Sequence, residues 1–211
     1  MTDADVMREL ESLGVATVYE ASGRRGLVDA DLIQVIPGSR AAGPARTAMC
    51  GQGDNRGVHA AMAAVRPGDV LVLTMPTPAP VALVGELLAT QARAQGAIAL
   101  LVDAAVRDIE ELRALGLPVW CRWIRATGAT KTQSAHVDTV VEVGGANIAP
   151  GDIVVLDADG AVVVDQASVE EVLQSSNARI EKENANRLRF AAGELSYDMY
   201  GMRAEDQAAG G

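Results

Sequence analysis

Hydrophobic residues recur along this chain with two spacings, and the spacings divide it into helices and strands. Val84, Leu87, Leu88 and Ala92 follow the spacing of one face of a helix. Residues 70–73, by contrast, form the run Val-Leu-Val-Leu, which is apolar at every position. The first pattern predicts an amphipathic helix, and the second predicts a strand that is buried on both faces.

Short turn sequences precede or connect several of the predicted strands. Pro-Gly-Asp turns at residues 67–69 and 150–152 each lead into an apolar run. Asp-Ala-Asp-Gly at residues 157–160 separates two such runs and predicts a hairpin. In the centre of the chain, helix, strand, helix and strand follow one another closely, which favours βαβ winding and an α/β fold.

The pattern as a whole predicts one domain. Helices are expected at residues 3–14, 17–21, 56–65, 84–95 and 108–115, and in a long segment after residue 168. Strands are expected at residues 41–50, 70–73, 98–102, 118–121, 140–143, 153–156 and 161–164. No linker divides the chain, so residues 1–203 are assigned to a single domain and the Ala/Gly-rich residues 204–211 to a flexible tail.

Individual residues are expected to begin and end some of these helices. Gly14 should end the first helix. Asp108 with Glu111 has the spacing of a capping box, in which side chains satisfy the free N–H groups of a helix start. Ser168 with Glu171 has the same spacing at the start of the long helix.

Composition and charge narrow the choice of ligands. The 211 residues include 28 acidic and 18 basic ones, which gives a formal net charge of −10. Phosphate backbones and anionic membranes require clustered Lys and Arg, so this balance argues against nucleic acid and membrane partners. An anionic substrate would need a local positive site or a metal ion. Aromatic residues are only 3% of the chain, so Ala, Val and Leu are expected to fill the core.

The sequence also predicts a reducing, cytoplasmic setting. Its two cysteines, Cys50 and Cys121, do not make a disulfide scaffold. The residues after Met1 are acidic rather than apolar, and no run of 18 apolar residues occurs.

Two segments could carry chemistry. A helix that starts at Gly85 would present free N–H groups to a carboxylate or phosphate, although the same glycine also fits a simple turn. Arg107 and Asp108 follow a predicted strand. Wound α/β sheets commonly bind ligands at the carboxyl ends of their strands. The guanidinium suits a carboxylate or an enolate oxygen, and the carboxylate suits Mg²⁺ or Mn²⁺. Spacing alone leaves open that Asp108 only caps its own helix and that Arg107 is a surface residue.

Other polar groups are weaker candidates when each is taken alone. Glu183 lies on a charged helix face of the kind that is usually just solvated. Further weak candidates are Lys131, Glu20, Arg24 and the stretch Asp54, Asn55 and His59. No phosphate-binding loop, zinc-type His-Glu-x-x-His motif or Gly-x-Ser-x-Gly elbow is present.

The combination of segments is more specific than its parts. Gly85-Glu86-Leu87-Leu88-Ala89-Thr90 is followed, 22 residues after Gly85, by Arg107-Asp108. Six further segments belong to the same combination and lie at residues 14–21, 53–55, 118–120, 150–152, 157–160 and 198–203. Over almost its whole length the chain resembles the RraA-like family, and its closing segment resembles the aldolase branch. That branch contains metal-dependent pyruvate aldolases acting on 4-hydroxy-4-methyl-2-oxoglutarate and 4-carboxy-4-hydroxy-2-oxoadipate.

The resemblance implies a fold and a metal site. The fold would be a single-domain layered α/β sandwich of the swivelling-domain type, with a central sheet flanked by helices. Asp108 would be the direct ligand of Mg²⁺ or Mn²⁺. Glu86 would hold a metal-bound water, and Glu183 would reach the metal water of a neighbouring subunit, so a trimer, or a hexamer of two trimers, is expected.

The resemblance also implies roles in substrate binding. Arg107 would bind the keto oxygen of the pyruvate moiety. The N–H groups of Leu87 and Leu88, which follow Gly85, would bind its carboxylate. Lys131 would meet the distal carboxylate of the substrate.

The function implied is that of a class II pyruvate aldolase in aromatic-acid catabolism, with oxaloacetate decarboxylation as a side activity. Two alternatives stay open: a non-catalytic regulator that binds an RNase, and a keto-acid decarboxylase or hydrolase that uses the same metal site. The sequence departs from the family pattern in two places. Glu86 stands where the family more often has Asp, and Ala104 and Ala105 stand where it commonly has a glycine.

Overall fold

The computed structural model describes residues 2–209. In that range a nine-stranded mixed sheet is accompanied by a two-stranded ribbon and by helices. The strands are β1 (Ile33–Gln34), β2 (Ala41–Met49), β3 (Val70–Thr74), β4 (Ala82–Val84), β5 (Ala99–Val106), β6 (Val119–Ile124), β7 (His136–Val137), β8 (Val141–Val143), β9 (Ala146–Ile148), β10 (Ile153–Asp157) and β11 (Gly160–Val164). The helices are α1 (Asp3–Ala21), α2 (Arg56–Ala61), α3 (Glu86–Gln95), α4 (Ile109–Leu115), α5 (Val169–Ala191), α6 (Ser196–Met199) and α7 (Met202–Ala209), with a 3-10 turn at Gln166–Ser168.

Four parallel strands form the centre of the large sheet, in the order β6, β5, β3, β2. The antiparallel hairpin of β10 and β11 continues the sheet beyond β2, and β1 adds to its other end against β6. The short strand β4 runs parallel to the last part of β5. This topology confirms the predicted α/β class, the βαβ winding and the hairpin, with a central sheet flanked by helices.

The residues of β3 show why the central strands are apolar at every position. Leu71 and Leu73 pack into a cluster with α2, α3 and α4. Val70 and Val72 point the other way, into a second cluster that contains the fully buried Trp120. Because side chains alternate along a strand, both faces of β3 lie in the core. A third cluster packs α1 and α5 against β10 and β11.

Several predicted helix limits are correct. Gly14 has a φ of 79° and a ψ of 169°, so it interrupts the helical backbone inside α1, as expected. Gly96 and Gly116 have left-handed backbones and end α3 and α4.

Two predicted helix limits and one predicted capping box are wrong. Val84 belongs to β4 and not to the helix, because it pairs with Val106 of β5. The helix that begins at residue 56 ends at Ala61, four residues before its predicted end. No capping box forms at the start of α5, where the Ser168 side chain makes no cap hydrogen bond.

The structure places most of the predicted tail in a helix. Residues 202–209 form α7, and the last two residues of the predicted tail lie outside the described range. Among residues 2–209, no helix combines the length and the apolar character needed to cross a membrane.

The two glycines that end α3 and α4 offer a matched pair of substitutions. A Cβ on Gly96 would lie 2.7 Å from the backbone Cα of Pro67, whereas a Cβ on Gly116 would meet nothing within 4 Å. Gly116→Ala should lower the free energy of unfolding by about 1 kcal/mol, the cost of a left-handed alanine. Gly96→Ala should lower it by roughly 1–3 kcal/mol more, because it also overpacks the contact with Pro67. Urea titrations of both variants measure the difference, and equal losses would contradict the expected clash.

Candidate active site

Two neighbouring strands end side by side, and each is followed by a helix. In the pairing of β4 with β5, Val84 lies opposite Val106. The N–H of Arg107 donates to the Val84 carbonyl oxygen at 3.1 Å. Gly85 and Arg107 are therefore neighbours, and α3 and α4 begin next to each other at the carboxyl ends of parallel strands, where α/β proteins commonly bind ligands.

Asp108 connects the two helix starts. Its backbone is left-handed, with φ 60° and ψ 53°, a conformation that aspartate tolerates better than most residues. The carboxylate makes no cap hydrogen bond to α4, so the predicted capping box with Glu111 is wrong. Instead, Oδ2 accepts a hydrogen bond of 3.1 Å from the backbone N–H of Glu86, the first residue of α3. The side chain is 43% exposed, so it is accessible to a ligand.

Two glycines make room for Arg107 and Asp108. A side chain on Gly85 would overlap the Asp108 carboxylate and crowd the Arg107 side chain. A Cβ on Gly128 would lie 2.9 Å from Nη1 of Arg107. The Arg107 Nε is 3.7 Å from Asp108 Oδ2, so the guanidinium and the carboxylate lie together at the same opening.

The first turn of α3 provides free backbone donors. The N–H groups of Leu87 and Leu88 lie in the first turn, where no helical carbonyl oxygen is available to accept from them. The helix dipole adds partial positive charge at this end of the helix. The Leu87 side chain is 81% exposed, whereas Leu88 packs partly against the core. Paired free amides at a helix start are suited to a carboxylate.

These groups surround a pocket of about 260 Å³, which is just below the usual range for small-molecule sites of about 300–1,000 Å³. Six residues of the substrate and metal site expected from the resemblance line it: Gly85, Leu87, Leu88, Arg107, Asp108 and Lys131. Glu86 begins α3 beside the pocket, where its carboxylate accepts a hydrogen bond of 2.8 Å from the Thr90 hydroxyl.

Glu183 does not lie with these residues within the single chain. It lies on α5 and pairs with Arg179, whose Nε is 2.9 Å from Oε1. Arg179 also approaches Glu20 of α1 at 4.0 Å. Within one chain, Glu183 is therefore part of a surface ion-pair group and not of the pocket lining.

The pocket contains residues that sequence reasoning ranked low or missed. Asn55 is 7% exposed, and its Nδ2 donates to the Leu83 carbonyl oxygen at 3.1 Å. Its Oδ1 is buried without a hydrogen-bond partner among the described residues, so the wall of the pocket holds an unused acceptor. His59 and Gln91 complete this part of the lining. Gln91 follows Leu88 by three residues on α3, so helical spacing could have identified it.

The charge of the pocket is opposite to that of the whole chain. Arg107 and Lys131 line it, and Asp108 is the one carboxylate among its lining residues. No group of three or more His, Cys, Asp or Glu residues in positions 2–209 could enclose a metal ion. A lone accessible carboxylate nevertheless fits Mg²⁺ or Mn²⁺, because Mg²⁺ usually keeps several waters and takes only one or two protein carboxylates.

Asp103 and the two cysteines lie outside the pocket. Asp103 is buried in β5, where its carboxylate accepts a hydrogen bond of 2.5 Å from Arg122. Cys50 and Cys121 are buried and unbridged. Burial raises the pKa of Cys50 to about 11 and that of Cys121 to about 12, so neither thiol is a nucleophile at neutral pH.

The fold and this pocket define an α/β protein with a candidate site, lined by two cationic side chains, where two adjacent strands lead into helices. Comparison with known proteins gives the family. Residues 14–163 match the family described as RraA-like: Aldolase/RraA. The chain belongs to this family.

Individual relatives carry different names. A protein of Halalkalibacterium halodurans named "Putative 4-hydroxy-4-methyl-2-oxoglutarate aldolase" is 36% identical over 65% of this chain, and the match spans 65% of that protein's length. The crystal structure of Streptomyces coelicolor RraAS2, described as an unusual member of the RNase ES inhibitor RraA protein family, is 31% identical with a TM-score of 0.76. It aligns with 88% of this chain and 97% of its own. The RNA-processing inhibitor RraA from Thermus thermophilis is 27% identical with a TM-score of 0.59, over 66% of this chain and 82% of its own.

The buried thiols lead to a labelling prediction. Since the pKa of Cys50 is about 11 and that of Cys121 about 12 in the folded chain, almost no thiolate exists at pH 8. Iodoacetamide at pH 8 should therefore alkylate neither cysteine while the protein is folded, and both in guanidinium chloride. Mass spectrometry of tryptic peptides reads the two sites separately. Rapid labelling of the native protein would show that the thiols are accessible and ionised.

Proposed function

We propose that this chain is a divalent-metal-dependent class II pyruvate aldolase. Its substrates would be 4-hydroxy-2-oxo-dicarboxylates such as 4-hydroxy-4-methyl-2-oxoglutarate or 4-carboxy-4-hydroxy-2-oxoadipate, and its products pyruvate and a second oxo acid. The observation that carries the proposal is the hydrogen bond from Glu86 N–H to Asp108, which holds a carboxylate, a guanidinium and two free amides at one opening.

The pocket supplies complementary groups for each part of such a substrate. The amides of Leu87 and Leu88 bind the C1 carboxylate, and the Arg107 guanidinium donates to the C2 oxygen. Lys131 binds the second carboxylate. Two cations in the lining offset the repulsion that a chain with a net charge of −10 would exert on a dianion.

Cleavage requires that the C4 hydroxyl lose its proton while the C3–C4 bond breaks. The C4 oxygen forms the carbonyl of the second oxo acid, and the electron pair of the C3–C4 bond becomes the C2=C3 double bond. The π pair of the C2 carbonyl moves onto its oxygen, so negative charge develops on the C2 oxygen of the pyruvate enolate. Arg107 stabilises that charge as it forms, which is the role of an oxyanion hole. Glu86 and, from a neighbouring copy, Glu183 would accept the hydroxyl proton through water and return a proton to C3.

Asp108 is the residue that would hold the metal. When bound, Mg²⁺ or Mn²⁺ supplies Lewis-acid stabilisation of negative charge at the C2 oxygen. The contact with Glu86 N–H fixes the carboxylate next to Arg107, so that both would act on the same oxygen. The mechanism needs no Schiff base with Lys131, so borohydride with substrate should leave the mass of the protein unchanged.

A regulator of RNase activity is the second candidate. It is favoured by the resemblance to Streptomyces coelicolor RraAS2 over 88% of this chain. The two functions are separable, because a purely regulatory chain would bind RNase E in a pull-down and release no pyruvate. Comparing oxaloacetate with the aldol substrates separates an aldolase from a decarboxylase that uses the same site.

The central test is pyruvate release in a coupled assay with Mg²⁺. Arg107→Ala should lower kcat by about 100- to 1,000-fold, the usual effect of removing one donor to a developing oxyanion. Arg8→Ala, which removes an exposed arginine paired with Asp5 on α1, is the matched control and should retain wild-type turnover. EDTA should abolish turnover, and Mg²⁺ should restore it. Undiminished activity in EDTA or in Arg107→Ala would refute the mechanism.

We further propose that the site is completed between subunits of a trimer or a hexamer, with Glu183 from a neighbour. Glu183→Gln and Arg107→Ala proteins should each be nearly inactive. After unfolding and refolding as an equal mixture, about a quarter of the shared sites would contain both intact residues and regain activity. A monomeric mass by light scattering, or a mixture no more active than its components, would contradict a shared site.

A further inference from the structure

One wall of the pocket is a loop without regular secondary structure, which contacts β4 through the hydrogen bond from Ala82 N–H to Thr127 O at 2.8 Å. Residues 127–133 lie between the end of β6 and the start of β7, and they include Lys131. Backbone hydrogen bonds attach this loop to the segment before α2: Asn55 N–H donates to Thr130 O at 2.9 Å, and Thr130 N–H donates to Gly53 O at 3.0 Å. The position of Lys131 thus depends on a segment more than 70 residues earlier in the chain.

The carboxylate of Asp54 is the main attachment between the two segments. It is fully buried. Its Oδ2 accepts three hydrogen bonds from the loop, from the Thr130 hydroxyl at 2.6 Å, the Thr132 N–H at 2.6 Å and the Gln133 N–H at 3.1 Å. Its Oδ1 accepts a bond of 2.9 Å from the Arg56 N–H at the start of α2.

These bonds keep Asp54 ionised although it is buried. Burial alone would raise the pKa of the Asp54 carboxyl, but the hydrogen bonds from Thr130 and from the three backbone N–H groups hold it well below its usual range. An ionised acceptor binds each donor more strongly than a neutral one would.

Two pocket residues are fixed by this arrangement. Thr130 and Thr132, which flank Lys131 in sequence, donate to the same oxygen, so the backbone of Lys131 is held on both sides. Asn55 follows Asp54 directly, and it lines the same pocket. Thus the group that holds the loop also sets one edge of the pocket.

We propose that Asp54 is a positioning residue that fixes Lys131 relative to Arg107 and thereby selects 2-oxo acids with a second carboxylate. The inference rests on the proposed function, since it assigns the selectivity of that site. The reason is geometric: the site discriminates by the spacing of two carboxylates only if Lys131 is held at a constant distance from Arg107 and from the amides of α3 that bind the other end of the substrate.

Binding can be measured without turnover, which separates this inference from the aldolase reaction itself. The probes are 2-oxoglutarate, which has a second carboxylate but no 4-hydroxyl to cleave, and 2-oxobutanoate, which lacks the second carboxylate. Isothermal titration in Mg²⁺ should show that the wild-type protein binds 2-oxoglutarate more tightly. Equal affinity for the two probes would overturn the inference, whether or not any substrate is cleaved.

Asp54→Asn removes the charge and one acceptor atom. It should weaken 2-oxoglutarate binding about tenfold and change 2-oxobutanoate binding less than twofold. Asp152→Asn is the matched control, because that carboxylate also accepts from two backbone N–H groups, of Ala149 and Gln166, but does not line this pocket. It should preserve the ratio of the two affinities. Equal weakening of both probes by Asp54→Asn would mean a general structural role and would refute the proposal.

Two further variants cover the case in which Asp54→Asn does not fold. Thr130→Val deletes only the hydroxyl donor and should lower 2-oxoglutarate binding selectively, by about threefold. Lys131→Met should remove the selectivity, and combining it with Thr130→Val should weaken 2-oxoglutarate binding no further. Additive losses in the double variant would show that Thr130 and Asp54 do not act through Lys131.

Discussion

A hydrogen bond between a helix N–H and a side chain from the next strand–helix junction organises the site. Glu86 N–H donates to Asp108 Oδ2 at 3.1 Å, which ties the start of α3 to the start of α4. The left-handed backbone of Asp108 and the missing side chain of Gly85 both serve this contact, since one directs the carboxylate and the other leaves space for it. Because an N–H of the first turn has no partner within its own helix, the contact also satisfies a donor that would otherwise need water.

Carboxylates in this chain divide by burial into two roles. Asp54 and Asp157 are buried and accept hydrogen bonds from backbone N–H groups, so they hold segments that are distant in sequence. Asp103 is buried with Arg122, which balances its charge. Asp108 differs because nearly half of its side chain is exposed and Arg107 lies beside it at 3.7 Å. Buried carboxylates need their protein partners, whereas an accessible one retains capacity for a ligand.

The acidic balance of the chain makes a local positive site necessary for anionic ligands. The start of α3, with Arg107 and Lys131, places positive groups around a pocket of about 260 Å³. The chain has a net charge of −10, but salt screens the electric field of distant charges over about 8–10 Å. The charged groups within the pocket therefore have the largest effect on which ligands bind there. The position of Lys131 therefore matters more than the total charge.

The sequence alone determined the elements whose signals are local. Alternation and helical spacing extend over a few residues, so the buried strands, the hairpin at residues 157–160 and the break at Gly14 followed from pattern. The family resemblance pointed to Arg107 and Asp108 as a pair, and their roles in the reaction stay predictions. Only the tertiary structure decided that Val84 is a strand residue, that Asp108 bonds to α3 rather than to its own helix, and that Asp54 holds the loop of Lys131. Each of these depends on the register of β4 against β5, or on partners 22 to 79 residues apart, which local periodicity does not encode.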